Sequence, residues 1–115
     1  MHRAMFTLLI AAALLFIPLG AHANDELNKM TQNPKDWVMP AGDYASNRYS
    51  KLNQINASNV SKLQVAWTFS TGVLRGHEGG PLIIGNTMYV HTPFPNKVYA
   101  IDLSNENKIA WKYEP

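Results

Sequence analysis

Four candidate β-strands joined by short turns occupy the C-terminal part of this 115-residue sequence, and they limit its fold more than any other feature. The candidate strands are residues 81–84, 87–92, 97–102 and 108–113. Gly85-Asn86 is a dipeptide that closes two-residue hairpins, and residues 104–107 form a polar turn. Strands connected in this way predict an antiparallel four-stranded meander, which is the repeating unit of β-propellers.

The fourth candidate strand repeats a pattern that occurs earlier in the chain. The five-residue segments centred on Trp67 and Trp111 both read aliphatic, Ala, Trp, polar, aromatic, and their tryptophans are 44 residues apart. Four-stranded propeller blades recur at about 40–45 residues. Strand alternation also predicts that Ile109, Trp111 and Tyr113 share one face. The repeat favours an all-β propeller, with an unrelated small β-sandwich as the alternative that these features leave open.

The first 23 residues predict a signal peptide. His2 and Arg3 are a basic start, residues 5–19 are an almost continuous apolar run, and Ala21-His22-Ala23 is a small-x-small cleavage site. The apolar run is shorter than the roughly 20 residues that a membrane-spanning helix needs. We therefore expect an exported protein cleaved after Ala23, and the alternative is an uncleaved anchor.

Composition excludes some classes of partner and of cross-link. The formal net charge is only +2 at pH 7, and Lys and Arg are not clustered, so no nucleic-acid partner is expected. The sequence contains no cysteine, so no disulfide can form within it.

Residues 24–63 predict a lead-in with two short helices. Asn24 can cap the first helix, whose first turn is acidic. Asn56 can cap the second, with Val60 and Leu63 on its buried side.

The propeller itself is predicted to start with residues 64–115. Residues 64–70 are expected to form a strand ahead of the first blade, which spans about 81–114. In a closed ring, such an N-terminal strand would pair into the last blade.

The segment Gly76-His77-Glu78-Gly79-Gly80-Pro81 is the strongest candidate for chemistry. Glu78 precedes the first strand, and in a propeller that loop lies at the mouth of the central channel. An ionised glutamate only accepts hydrogen bonds, and Gly79 and Gly80 allow a flat ligand to approach the backbone. Position 81 is proline, so no H-E-x-x-H zinc motif exists. On spacing alone, a surface glutamate remains the alternative, and His91 is expected to be packed rather than to bind a ligand.

Most of the sequence after residue 23 follows the pattern of one known family. The residues that carry the match are Trp37, 49–56, Asn59-Val60, Leu63, 66–72, 76–82 and Ala100-x-Asp102 to Trp111. This pattern resembles the N-terminus of pyrroloquinoline quinone (PQQ)-dependent methanol dehydrogenases, whose fold is an eight-bladed propeller. The resemblance therefore implies an all-β chain that is the N-terminal portion of such a propeller. The turn at residues 104–107 departs from the Thr-Gly of many blades.

The resemblance implies roles for three residues. Glu78 would be a hydrogen-bonding partner of the quinone cofactor, and Trp67 and Trp111 would be docking tryptophans between blades. The catalytic residues and the metal ligands of the family lie in later blades, so none is expected in this sequence. Alone, the 115 residues are expected to be an inactive fragment.

The resemblance also implies an activity and its partners. A periplasmic enzyme would oxidise methanol or another primary alcohol with PQQ and a calcium or lanthanide ion, and a cytochrome c would accept the electrons. A homo-oligomer or a complex with a small subunit is expected for the full-length protein. The form of the segment from Arg75 to Gly80 is closer to the lanthanide-using branch.

Two other functions remain open at this point. A PQQ enzyme for ethanol or other alcohols would share nearly all of these features. A periplasmic propeller that binds protein partners without a cofactor would share the tryptophan repeat but would not need Glu78.

Overall fold

The computed structural model describes residues 24–115, so the predicted signal peptide lies outside the described residues. Residues 24–115 contain one four-stranded antiparallel sheet in which each strand pairs with the next along the sequence. The strands are β1 (Leu82–Ile84), β2 (Thr87–His91), β3 (Val98–Asp102) and β4 (Lys108–Tyr113). The predicted meander is confirmed, and the strand ends differ from the prediction by one residue at most.

The first hairpin closes as its sequence predicts. Ile84 pairs with Thr87 across a two-residue turn, and Gly85 has φ of +57°. A positive φ at the first central residue is typical of a type II′ turn, which glycine adopts without steric cost.

The last hairpin uses less favourable residues for a similar turn. The Lys108 N–H donates to the Asn105 carbonyl at 3.0 Å, and both residues between them, Glu106 and Asn107, have positive φ. This is the geometry of a type I′ turn, which Asn-Gly forms more readily. The turn at residues 104–107, which lacks the Thr-Gly of many blades, is therefore still tight, but it places a glutamate in the left-handed region.

A β-bulge divides β4 and corrects one prediction. Ala100 pairs with Trp111, whereas the next residue of β3, Ile101, pairs with Ile109. Ala110 is therefore the extra residue, and it shifts the alternation of β4 by one position. Ile109 lies on the face opposite Trp111 and Tyr113, so the prediction that all three share one face was wrong.

The buried core lies on β3. Tyr99, Ala100 and Ile101 are buried, because β3 has a neighbouring strand on each side and side chains above both faces. The Phe69 ring packs edge-on against the Tyr99 ring, with centroids 5.0 Å apart. The Tyr99 hydroxyl donates to the Thr71 carbonyl at 2.8 Å, which attaches the preceding segment to this face of the sheet.

The first helix of the lead-in forms as predicted. Helix α1 spans Asp25–Met30, and the Asn24 side chain caps it. Its Oδ1 accepts hydrogen bonds from the N–H groups of Glu26 and Leu27, at 2.9 and 3.2 Å. Two of the N–H groups that a helix start leaves unpaired are thereby satisfied.

The second helix is shorter and more exposed than predicted. It is a single 3₁₀ turn, Val60–Lys62. Its N-cap residue is Asn59, whose side chain does not cap it, so the predicted cap by Asn56 was wrong. The Asn56 side chain instead accepts from the Ser58 N–H and hydroxyl ahead of the turn. Val60 is 49% exposed and Leu63 is 59% exposed, so their predicted burial was wrong. The physical reason is that no apolar surface among residues 24–115 packs over this turn.

Residues 64–70 do not form the predicted strand. A β-strand needs a neighbour to share its backbone hydrogen bonds, and no strand among residues 24–115 pairs with this segment. The segment instead contacts the sheet through side chains such as Phe69.

The lead-in is also attached to the free edge of β1. Trp37 and Ile83 exchange both of their N–H···O bonds, at 2.8 and 2.9 Å. One carboxylate oxygen of Asp36 accepts from the Gly85 N–H at 2.7 Å. Within the described residues, no helix has the length and apolar character needed to cross a membrane.

Candidate functional site

The segment that contains Glu78 leads directly into β1 and borders an open cleft of about 390 Å³. The opposite wall of this cleft is the end of β2 and the turn that follows it. The lining residues are Gly76, His77, Glu78, Gly79, His91, Thr92, Pro93 and Asn96. The structure therefore places Glu78, the predicted site residue, beside His77 and His91. A larger cavity, of about 460 Å³, lies in the lead-in and does not include any of these residues.

His77 is held on both sides of its ring. Its Nδ1 lies 2.8 Å from the Arg75 carbonyl oxygen, and its Nε2 lies 3.1 Å from the Thr71 hydroxyl. A carbonyl can only accept, so a proton belongs on Nδ1, and in the tautomer that carries this proton alone the Thr71 hydroxyl donates to Nε2. The Thr71 oxygen also accepts from the Val73 N–H at 3.2 Å. His77 is thus an internal support of this loop, and its ring nitrogens are both occupied.

Gly79 leaves room for the His91 ring. A Cβ at position 79 would overlap the His91 imidazole ring well inside van der Waals contact. His91 is exposed to solvent on one side and fills the space that a side chain at position 79 would take. A Cβ at Gly80 would meet no atom within 4 Å, so the backbone there is open to a ligand.

The Glu78 side chain is exposed, and its carboxylate makes no hydrogen bond or salt bridge to another residue within 24–115. The nearest basic side chain in sequence does not pair with it, because the Arg75 guanidinium lies over the Phe94 ring, 5.6 Å from its centroid. Glu78 therefore offers free acceptor sites at the edge of the cleft.

The two predicted docking tryptophans occupy different environments. Trp111 is on β4, is 49% exposed and lies 6.1 Å from the Tyr89 ring. Trp67 is 37% exposed and lines a groove of about 310 Å³ with Phe69, against the sheet face that carries Ile101. Both indoles leave a large apolar area uncovered.

The ionisable groups with shifted pKa values lie in turns and at a strand end, outside the cleft. The Asn47 side-chain amide lowers the pKa of Asp43, and the Ser104 hydroxyl lowers that of Asp102. Lys97 lowers the pKa of Glu114, which raises that of Lys97 in return. Each of these shifts is caused mainly by a hydrogen bond to a side chain outside the cleft, so these groups have a structural role. Residues 24–115 contain no cluster of three His, Cys, Asp or Glu side chains that could hold a metal ion.

Sequence reasoning missed Thr71 and Tyr99 as parts of this site. Thr71 contacts His77 through its hydroxyl and Tyr99 through its carbonyl. The only signal in the sequence was a threonine beside Gly72, which has φ of +69°. A turn of this kind can be expected from Thr-Gly, but not which side chains it brings together.

Comparisons with known proteins agree with this architecture. Residues 37–115 match the family model described as "PQQ: Glucose/ethanol/alcohol dehydrogenase, beta-propeller domain". The chain is 61% identical to a lanthanide-dependent methanol dehydrogenase from Methylorubrum extorquens over 113 residues, which are 98% of this chain and 19% of that protein. It is 48% identical to subunit 1 of a methanol dehydrogenase [cytochrome c] from Methylobacterium organophilum, over 93% of this chain and 17% of that protein.

A solved structure resembles the chain in the same way. A europium-containing methanol dehydrogenase superposes with a TM-score of 0.77 and 59% sequence identity, over 80% of this chain and 16% of that one. The chain thus spans about a fifth of the length of the relatives that it matches. Since the family model covers well over half of its residues, the chain belongs to the family of PQQ-dependent dehydrogenase β-propellers.

Proposed function

We propose that this chain is part of a PQQ-dependent dehydrogenase that oxidises methanol or another primary alcohol in the periplasm. Its electron acceptor would be a cytochrome c, and residues 1–23 would be a cleaved signal peptide. Family membership and the high identity to methanol dehydrogenases support this activity.

Glu78 is the residue we propose to bind the cofactor. Its carboxylate is exposed at the cleft and has acceptor sites unused by residues 24–115, and the backbone at Gly80, two residues on, is open. These properties fit a flat quinone whose pyrrole N–H is a hydrogen-bond donor at its edge. When bound, PQQ would take up the two electrons that leave the alcohol. The part that this chain supplies is one hydrogen-bonding contact.

The remaining assignments concern the organisation of the full-length protein. We propose a lead-in at residues 24–63, the start of the propeller at residues 64–115 and a first blade at about 81–114. Trp67 and Trp111 would dock against neighbouring blades, which fits the uncovered area of both indoles. The name of the Methylorubrum relative favours a lanthanide over calcium, and the catalytic residues and ion ligands would lie outside this sequence. A homo-oligomer or a complex with a small subunit is the expected assembly.

The experiment that tests this function is a Glu78→Gln substitution in the full-length protein. A hydrogen bond to a charged group contributes about 1.5–3 kcal/mol, and about 1.4 kcal/mol is tenfold in affinity, so PQQ should bind about ten- to a hundredfold more weakly. The measurement is a quinone absorbance titration of the protein freed of PQQ. Glu26→Gln is the matched control, because Glu26 is an exposed glutamate in α1, far along the chain from the cleft. Unchanged affinity in Glu78→Gln would contradict the proposed contact.

The substrate is tested separately from the cofactor. The purified full-length protein, loaded with PQQ and metal, should reduce an artificial electron acceptor when methanol or another short primary alcohol is added. Quinone that is bound but not reduced by any primary alcohol would contradict the proposed substrate class and leave the cofactor assignment intact.

A further inference from the structure

We infer that Thr71 and His77 are positioning residues, which hold the Glu78 carboxylate in the orientation that binds the quinone. This inference rests on the proposed function and deepens it, because it identifies what fixes the cofactor contact relative to the sheet. The resemblance to known dehydrogenases assigned no role to either residue.

The first step of the argument is the attachment of Thr71 to the core. Tyr99 lies on the buried strand β3 and is one of the least exposed of residues 24–115. Its hydroxyl donates to the Thr71 carbonyl at 2.8 Å, and its ring is packed edge-on against Phe69. A buried tyrosine with both its ring and its hydroxyl engaged has little freedom to move. The Thr71 backbone is therefore fixed relative to the sheet.

The second step is the attachment of His77 to Thr71. The Thr71 hydroxyl accepts from the Val73 N–H at 3.2 Å and donates to His77 Nε2 at 3.1 Å. The Val73 N–H thus orients the hydroxyl, and the hydroxyl orients the His77 ring. On the opposite side of the ring, His77 Nδ1 donates to the Arg75 carbonyl at 2.8 Å. Two hydrogen bonds on opposite sides of a planar ring define its orientation.

The third step connects this support to Glu78. Glu78 is the next residue after His77 and makes no side-chain contact of its own to hold it among the described residues. The residue after it, Gly79, lies against the His91 ring. The Glu78 backbone is therefore held by His77 on its N-terminal side, and Gly79 lies against the His91 ring on its C-terminal side. A carboxylate that is free but carried on a fixed backbone needs less ordering when a ligand binds.

The test uses variants of the full-length protein that each remove one hydroxyl group. Thr71→Val removes the hydroxyl and keeps the branched shape, whereas Thr71→Ser keeps the hydroxyl and serves as the rescue. Tyr99→Phe removes the hydrogen bond to Thr71 and keeps the ring contact with Phe69. Thr68→Val is the matched control, since Thr68 is an exposed threonine of the same segment with no side-chain hydrogen bond among residues 24–115. The readout is the dissociation constant of PQQ, from quinone absorbance titration of the PQQ-free protein with its metal ion.

Losing the neutral hydrogen bond to His77 is worth about 0.5–1.5 kcal/mol, so Thr71→Val should weaken PQQ binding about two- to twelvefold. Thr71→Ser and Thr68→Val should bind PQQ as the unaltered protein does, and Tyr99→Phe should weaken binding in the same direction as Thr71→Val. In a Glu78→Gln background, Thr71→Val should have almost no further effect, because the contact that Thr71 positions is already lost. A purely structural role of Thr71 would weaken binding equally in both backgrounds.

The outcomes separate this inference from the proposed function. If Glu78→Gln weakens PQQ binding but Thr71→Val and Tyr99→Phe do not, the positioning role is overturned and the Glu78 contact stands. If Thr71→Val weakens binding equally with and without Glu78, the positioning role is again overturned. If Glu78→Gln leaves PQQ binding unchanged, the contact itself is overturned, and the positioning role with it. If Thr71→Val does not fold, Tyr99→Phe in the two backgrounds decides in the same way.

Discussion

The indole ring of Trp111 lies against the ring of Tyr89, with centroids 6.1 Å apart, although a whole strand separates β2 from β4. Ala100 lies between them on β3, paired with both residues in the same row across the sheet. Its side chain is a single methyl group with no exposed surface, so the two aromatic rings meet above it. This row links three strands through side chains in addition to their backbone hydrogen bonds.

Trp111→Ala should destabilise the full-length protein. Removing a buried tryptophan costs about 3–5 kcal/mol, and because Trp111 is half exposed in this chain we expect at least about 2 kcal/mol. Tyr113→Ala is the control, since Tyr113 is an exposed aromatic residue on the same strand and face, and it should cost less. Thermal denaturation followed by circular dichroism measures both. A melting temperature that Trp111→Ala does not change would identify Trp111 as a surface aromatic residue.

The turn that connects β3 to β4 should tolerate a stabilising change. Glu106 and Asn107 both have positive φ, which costs a residue other than glycine about 1 kcal/mol or more. Replacing them by Asn-Gly, the preferred type I′ pair, should raise the melting temperature. The change also removes the exposed Glu106–Lys108 salt bridge, which contributes little. A Glu106→Gln variant removes the salt bridge alone and separates the two effects. A lower melting temperature for Asn-Gly would show that the turn is not strained.

Acid should weaken the contact between Asp102 and Ser104. The Ser104 hydroxyl donates to the Asp102 carboxylate at 2.6 Å and holds its pKa below the ordinary value. Since the folded-state pKa is depressed, the stabilisation is complete above the unfolded pKa of about 3.9 and is lost as the pH falls through the folded value. Ser104→Ala should therefore lower the melting temperature by a constant amount above about pH 5, and by less below about pH 4.

The chain provides a matched control for this pH dependence. The Ser58 hydroxyl donates to the Asn56 side chain at 2.6 Å in the same local arrangement, but an amide does not titrate. The effect of Ser58→Ala should be the same at every pH at which the protein is folded. If the two serine variants respond to pH in the same way, the Asp102 charge does not contribute.

Gly79→Ala should destabilise the loop that carries Glu78. The new methyl group would overlap the His91 ring, and overpacking costs about 1–3 kcal/mol. We expect about 1 kcal/mol, the lower end of that range, because His91 is exposed and its ring can move toward solvent. Gly80→Ala is the control, since nothing lies within 4 Å of a Cβ there. Adding His91→Ala should restore the melting temperature of Gly79→Ala, and a failure to restore it would contradict the contact.

The four strands could be predicted because their signals are local. Gly85-Asn86 specifies the first hairpin. In β3, apolar residues occur at successive positions and therefore on both faces, which matches the observed burial of this strand on both faces. The bulge at Ala110 could not be predicted, since the alternation of Ile109, Trp111 and Tyr113 reads as one regular strand. The position of a β-bulge is decided by the pairing with the neighbouring strand, and the sequence of the bulged strand alone does not contain that information.

Outside the sheet, a contact could be predicted when its residues lie close together in the sequence. The Asn24 cap involves residues within one helical turn and was predicted correctly. Burial of Val60 and a strand at residues 64–70 both require surfaces that residues 24–115 do not supply. Glu78 could be selected as a candidate from its glycine-rich surroundings. Its support by Thr71 and His77 depends on loop conformation, which composition does not determine.

The two backbone hydrogen bonds between Trp37 and Ile83 cover an edge of the sheet, and the order of synthesis makes this cover available early. An uncovered strand edge is a template for pairing with another chain and so for aggregation. Because synthesis proceeds from the N-terminus, Asp36 and Trp37 leave the ribosome before β1 does. The residues that occupy the free edge of β1 are therefore already available when that strand emerges. The four-stranded sheet is thus protected on this side by residues that precede it in the chain.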